Sequence, residues 1–263
     1  MPAFELRVRH VFPLILLIAV GVLFGARNAA AEDGYLLALS WEPAFCAGHA
    51  ARPECKLAAA TPPRLGLHGL WPDWDRNGDG KQDGADDFCL SGENNRKAIF
   101  ALDAEASNAG NWLKLPPVNL SAASSSDLES AMPGTTSGLE RHEWWKHGTC
   151  SDLKADDYFA IAVALLREVE RSSLAHLIAQ RAGATIGRAE LLAAFESDFG
   201  ARSARALMLD CEKTADGSAL AEIRIRIKRG KVTQGLNADS LDIPAKAIKG
   251  DCAADIRIPD RQN

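Results

Sequence analysis

The sequence predicts an α+β fold, with strands toward its two ends and helices between them. Three observations carry this. Two short apolar runs, residues 35–41 (YLLALSW) and 65–71 (LGLHGLW), read as buried strands. Residues 156–171, 174–182 and 188–199 carry apolar side chains at helical spacing, as with Phe159, Val163, Leu166 and Val169. Residues 221–228 (AEIRIRIK) alternate strictly, with Ile223, Ile225 and Ile227 on one face and Arg224, Arg226 and Lys228 on the other. That pattern belongs to a half-buried antiparallel strand. Strands and helices segregated along a chain in this way define α+β rather than a βαβ repeat.

Taken in order, the chain begins with an expected secretory signal peptide. Arg7 and Arg9 precede an almost unbroken apolar run over residues 11–26, and Ala29-Ala30-Ala31 forms a small-residue cleavage site. Cleavage after Ala31 leaves about 232 residues. No later apolar run approaches the ~18 residues a membrane span needs, so export without a membrane anchor is expected. Residues 32–263 show no internal repeat and no long linker, which points to one domain. The first strand stops at Glu42-Pro43 and the second at Pro72. Residues 75–87 form a polar, glycine-rich loop, and residues 119–138, rich in Ser, Ala and Gly, read as surface loop with some helix.

All six cysteines, Cys46, Cys55, Cys89, Cys150, Cys211 and Cys252, follow the cleavage site. An even number in an exported chain implies a disulfide-stabilised fold, and six cysteines allow 15 pairings. No CxxC is present, which argues against a zinc ribbon or a thioredoxin-like centre. The first 31 residues hold three arginines and one glutamate, so removing them takes the formal net charge from −5 to −7. A chain of that charge does not track a polyanion through a wide basic groove. If its substrate is a nucleic acid, it grips one or two nucleotides locally.

Residues 141–150 (RHEWWKHGTC) concentrate the chemistry. In a helix ending near Gly148, His142 and Lys146 share a face, as do Glu143 and His147. At ~100° per residue the four fall within an arc of about 140°. Trp144 and Trp145 point to the other side. A metalloprotease HExxH needs its second histidine at i+4, where this chain has Lys146, so a zinc protease is disfavoured. His68 stands in the second strand beside Gly69, Trp71 and Asp73, which supply room, a stacking face and an acceptor. Two histidines titrating near neutral pH serve as a general base and a general acid. With no serine or cysteine nucleophile and no metal site to activate water, the nucleophile is expected to come from the substrate. RNA carries one beside every phosphate, the 2′-hydroxyl, and DNA lacks it.

His68-Gly69-Leu70-Trp71-Pro72 and His142-Glu143-Trp144-Trp145-Lys146-His147-Gly148-Thr149-Cys150 resemble the paired active-site motifs of the ribonuclease T2 family. The run over residues 37–46 (LALSWEPAFC), with residues 52–55 (RPEC), is similar to its bacterial, ribonuclease I-like branch. The resemblance implies a central antiparallel sheet flanked by helices, with the first motif on a strand and the second on a helix. It implies cleavage of single-stranded RNA through a 2′,3′-cyclic phosphate, with His68 as general acid and His147 as general base. Glu143 and Lys146 would assist, His142 would bind phosphate, and Trp71 and Asp73 would contact a base. No cofactor is expected for catalysis, and the exported chain is expected to be a monomer, periplasmic or secreted. The resemblance also implies the pairs Cys46–Cys55, Cys89–Cys150 and Cys211–Cys252. The residues before His142, Gly138-Leu139-Glu140-Arg141, lack the aromatic that family members often place there, which implies weak base specificity.

One feature lies outside that pattern. Asp75, Asn77, Asp79, Lys81, Asp83 and Asp86 follow EF-hand loop spacing, with Gly80 at the sixth position and the Lys81 carbonyl at the seventh. Such a loop could hold a structural calcium ion, although the twelfth position is Asp rather than Glu. A second class of function follows, a non-catalytic RNA-binding or calcium-binding module on the same scaffold. It leaves the HEWWKH stripe without a use.

Overall fold

The computed structural model describes residues 34–58, 61–73, 87–215, 217–244 and 250–261. The expected signal peptide and the calcium-type loop from Asp75 to Asp86 lie outside these residues. Strand β1 (Gly34–Trp41) is buried almost throughout, because β2 (Leu65–Asp73) flanks it on one side and β5 (Gly217–Lys228) on the other. Strand β4 (Leu207–Thr214) pairs with β5, and the short β6 (Asp255–Arg257) and β3 (Thr185–Gly187) extend the sheet. The order is β2-β1-β5-β6-β3 with β4 also on β5. The pairings are antiparallel except β5 with β6, which meet in parallel at Ala219 and Arg257. The sheet is thus antiparallel, as expected, apart from that one contact.

Glu42-Pro43 does end the first strand, but it also starts helix α1 (Glu42–Gly48), where Pro43 occupies the first turn and needs no N–H. Helix α2 (Pro53–Ala58) follows, and Cys46–Cys55 joins the two. Pro72 does not end the second strand, which continues to Asp73. Strand β2 is at the end of the sheet, where a missing N–H is tolerated.

The predicted helices are present as α6 (Ala155–Glu170), α7 (Ser173–Gln180) and α8 (Arg188–Phe199). Helix α6 buries Tyr158, Phe159, Ala162, Val163, Leu165, Leu166 and Val169 against the sheet. Its Tyr158 hydroxyl donates to the Leu70 carbonyl of β2 at 2.6 Å. Ser121 and Ser172 cap α4 (Ala122–Ala131) and α7 by accepting from Ser124 N–H and Ala175 N–H. The region 119–138 contains α4 and a 3-10 turn, Pro133–Ser137. Helix α3 (Glu93–Ala109) and strand β4 were not anticipated. Helix α3 buries only Asp103 and Ala106 and so carries no apolar stripe, while β4 is apolar only in its first three residues. Disulfides Cys46–Cys55, Cys89–Cys150 and Cys211–Cys252 match the pairing the resemblance implied.

Candidate active site

The site is assembled from β2, β5 and α5 (Leu139–Lys146). On β2 the register slips: Ala38 faces Gly69, but Leu39 faces Leu67, so His68 is an extra residue in a β-bulge. The slip has a direct consequence for the side chains. Leu67 and Leu70, three residues apart, both enter the core at 3% and 0% exposure, while His68 and Trp71 emerge together on the opposite face. Gly69 is held between them. A Cβ there would lie 1.9 Å from Glu143 Oε2 and 2.4 Å from Trp71 Nε1.

Helix α5 runs to Lys146, with His147 as its C-cap and one 3-10 turn, Gly148–Cys150, beyond. The two tryptophans leave the site as expected: Trp144 packs on Tyr158, and Trp145 donates its indole N–H to the Pro116 carbonyl at 2.8 Å. The end of α5 is clamped by three consecutive residues. Asp87 approaches His147, the Phe88 N–H donates to the Lys146 carbonyl, and Cys89 bonds to Cys150. Phe88 takes φ +57 to do this, a conformation a bulky side chain rarely adopts.

Glu143 is the centre of the arrangement and is 0% exposed. Its Oε2 accepts from the Trp71 indole at 2.7 Å. Its Oε1 has no hydrogen-bond partner among the described residues and lies 3.7 Å from His68 Nε2 and 3.9 Å from His142 Nε2. Each histidine turns Nδ1 away, toward its own carboxylate. His68 donates to Glu222 Oε2 at 2.5 Å, His142 lies 2.6 Å from Asp103 Oδ1, and His147 lies 3.4 Å from Asp87 Oδ1. Lys146 Nζ stands at the rim, 3.9 Å from Asp87 Oδ2. The Trp71 ring lies between His68, His147 and the Arg224 guanidinium, so it is packed into the site as well as lining it. Asp73 closes β2 opposite Gly34, and its side chain lies outside the described part of the molecule.

The electrostatics follow from these contacts. Burial alone would lower the pKa of His68. The hydrogen bond to Glu222 and the charges of Glu143 and Glu222 outweigh it, and the net shift is upward. Burial would raise Glu222, but His68 and Arg224 draw it down to about 2. Asp87 is likewise lowered, because its hydrogen bond to His147 and the charges of His147, Lys146 and His142 outweigh its desolvation. His142, Glu143 and His147 bring one ligand atom each within 4.8 Å of one another, a spacing at which these three groups could also hold a metal ion. Beside His68 opens a cavity of about 260 Å³ walled by Phe45, Leu67, Trp112, Pro133 and Leu139, with Ser40 and Glu222 at its polar side. Trp112 also packs against His142, with ring centroids 5.2 Å apart.

The structure therefore brings together His68, Trp71, His142, Glu143 and His147. It adds residues that sequence reading missed: Glu222, Arg224, Asp103, Asp87 and Trp112. Only for Glu222 and Arg224 was there a signal, the charged face of the alternating strand. That face covers Glu222 and Arg226 to 8% exposure each rather than leaving them to solvent.

A mixed sheet with helices, stapled by disulfides and gathering three histidines around a buried carboxylate, is an arrangement suited to acid–base chemistry. The chain belongs to the ribonuclease T2 family, whose pattern it matches over residues 32–235, and it is an endoribonuclease of that type. It is 32% identical to ribonuclease I of Escherichia coli (strain K12) over 85% of this chain and 89% of that one. In fold it is similar to the self-incompatibility-associated SF11-RNase of Nicotiana alata (17% identical, TM-score 0.54, 87% and 99% of the two chains). It is also similar to ribonuclease MC1 from bitter gourd seeds (18% identical, TM-score 0.51, 85% and 98% of the two chains).

Proposed function

We propose that residues 32–263 act as one exported, monomeric catalytic unit that cuts single-stranded RNA by transesterification. His147 removes the proton of a 2′-hydroxyl, the 2′-oxygen attacks phosphorus, and His68 protonates the leaving 5′-oxygen. The product is a 2′,3′-cyclic phosphate, which water opens with the histidine roles reversed. His142 and Lys146 face the phosphate, and Glu143 balances the charged imidazoles around it. The observation that carries this reading is that both imidazoles commit Nδ1 to a carboxylate, Glu222 or Asp87, which leaves each Nε2 for a substrate atom. No step calls for a metal ion.

Trp71, Asp73 and the cavity beside His68 are proposed to take bases. Its walls are mainly apolar and aromatic, and stacking of this kind tolerates any base, in keeping with low specificity. Among the described residues no helix is long and apolar enough to cross a membrane. The N-terminal pattern supports export to the periplasm or medium, checked by sequencing the mature N-terminus for a start at Glu32. The calcium-type loop is proposed to be structural only, and is checked by melting with and without calcium.

The decisive experiment is product analysis on single-stranded RNA in excess EDTA, with DNA as a control. The wild type is expected to leave 2′,3′-cyclic ends and to spare DNA. His147→Ala and His68→Ala are each expected to lose roughly 10²–10⁴-fold in rate. A wild-type protein that cuts nothing, even with calcium restored, would turn the reading to a non-catalytic RNA-binding module.

A further inference from the structure

We propose that Glu222, clamped by Arg224, is the positioning residue of His68: it fixes the imidazole with Nδ1 turned into the sheet and Nε2 turned toward the scissile phosphate. This rests on the reading of His68 as the general acid.

Strands β2 and β5 are not neighbours, since β1 lies between them. Two strand spacings amount to roughly 10 Å, more than a hydrogen bond spans unless two side chains reach over the middle strand. The residues of β1 beneath that bridge are small. Ala38 pairs with Gly69 on one side and Arg224 on the other, and Ser40 pairs with Gly66 and Glu222. The bulge lifts His68 toward this gap, and Glu222 meets it from the far side at 2.5 Å. A larger side chain at position 38 or 40 would fill the gap. The Ser40 hydroxyl instead donates to the same carboxylate oxygen at 3.3 Å.

Glu222 is itself held. Arg224 Nε donates to its Oε1 at 2.6 Å, and the same nitrogen lies 3.1 Å from Asp210 Oδ2 on β4. Both Glu222 oxygens are therefore occupied, and its side chain is 11% exposed. A carboxylate so fixed has one preferred partner position, and His68 Nδ1 occupies it. The other charged groups around His68 are Glu143 from α5, and Glu42, Glu54 and Glu212 on the walls of the adjoining cavity. Glu222 alone contacts Nδ1 among the described residues. Its removal therefore changes both the orientation and the charge of His68, while Glu143 stays in place.

The sign of the effect follows. A carboxylate partner favours the protonated imidazole, and a general acid works only when protonated. In Glu222→Gln the alkaline limb of the kcat/KM profile is expected to move to lower pH by about one unit. The NMR titration of the His68 Cε1 proton should move with it. Because Glu222 also borders the cavity proposed to take a base, KM is not the discriminating readout: kcat should fall, and the pH limb and the His68 titration should move together. Glu222→Asp keeps the charge and should restore most of the profile. A folded Glu222→Gln whose limb and His68 titration stay at the wild-type position overturns the proposal. If Glu222→Gln does not fold, the wild-type His68 Nδ1 proton is read by NMR, and absence of the downfield resonance of an imidazole N–H held by a carboxylate overturns the proposal. Retained activity in His68→Ala would instead sink the general-acid reading beneath it, so the two failures are told apart.

Discussion

Gly69 leaves so little space that a single methyl group is enough to disturb the site. Its virtual Cβ falls on Glu143 Oε2 and Trp71 Nε1, the two atoms whose hydrogen bond anchors the central carboxylate. Gly69→Ala is therefore expected to push Glu143 off its mark and to cut kcat by about 100-fold, a size typical of small misplacements of catalytic groups. Overpacking of this kind costs about 1–3 kcal/mol in stability. Paired kinetics and urea denaturation check both effects. The Glu222 carboxylate makes a second prediction. Its pKa falls from 4.5 to about 2 on folding, so the stability it contributes is present above about 4.5 and is lost as pH falls toward 2. Between pH 5 and 2, denaturation midpoints of the wild type should fall more steeply than those of Glu222→Gln. At this scale the reading of the sequence divides cleanly. His68, Glu143 and His147 were legible because each sits in a local pattern whose spacing has chemical meaning. Asp87, Asp103 and Glu222 were not, since a lone carboxylate acquires its role only from a partner 39 to 154 residues away, or from a loop pinned by a disulfide.

For the elements, periodicity was a good guide wherever one face is apolar. Helices α6 and α8 and strand β5 were legible for that reason, and α3 was not because its buried face offers an aspartate and an alanine. The slip in β2 was hidden for another reason: a bulge is a relation between two strands, and Leu67 and Leu70 show an odd spacing only once both are known to be buried. Disulfide Cys89–Cys150 links the segment after β2 to the turn after α5 across 61 residues. On the chain-entropy account its loss costs about 4 kcal/mol, against about 2.5 kcal/mol for Cys46–Cys55, which spans 9 residues. Chemical denaturation of the paired Cys→Ala variants should rank them in that order. Only the Cys89–Cys150 variant should also lose catalytic rate beyond its loss of stability, because the same clamp places His147.

Across the whole molecule, the fold class was legible and the disulfide pairing followed from the family resemblance rather than from cysteine spacing, while the strand order was not. The parallel contact of β5 with β6 and the return of the C-terminal segment, where the Trp41 indole donates to the Pro259 carbonyl at 2.7 Å, join residues far apart in sequence. Net charge belongs to this scale too. A chain with formal charge −5 has no surplus of cations with which to follow an RNA backbone. The dependence of log(kcat/KM) on log[salt] is therefore expected to be shallow, with a slope near −1, the equivalent of about one or two phosphates. Kinetics on a dinucleotide and a long polymer across a salt series would check it. A slope several-fold steeper for the polymer would reveal an extended cationic track.

The bulge at His68 has one more effect, on how this chain meets its own copies. Strand β2 ends the sheet, and an open sheet end is a template on which another chain can add a strand. Regular spacing of donors and acceptors makes such a template work. In β2 the extra residue at His68 breaks the spacing, and Pro72 supplies no N–H at all. The irregularity that turns His68 onto the face of the site thus also leaves the strand a poor seed for aggregation while the chain folds.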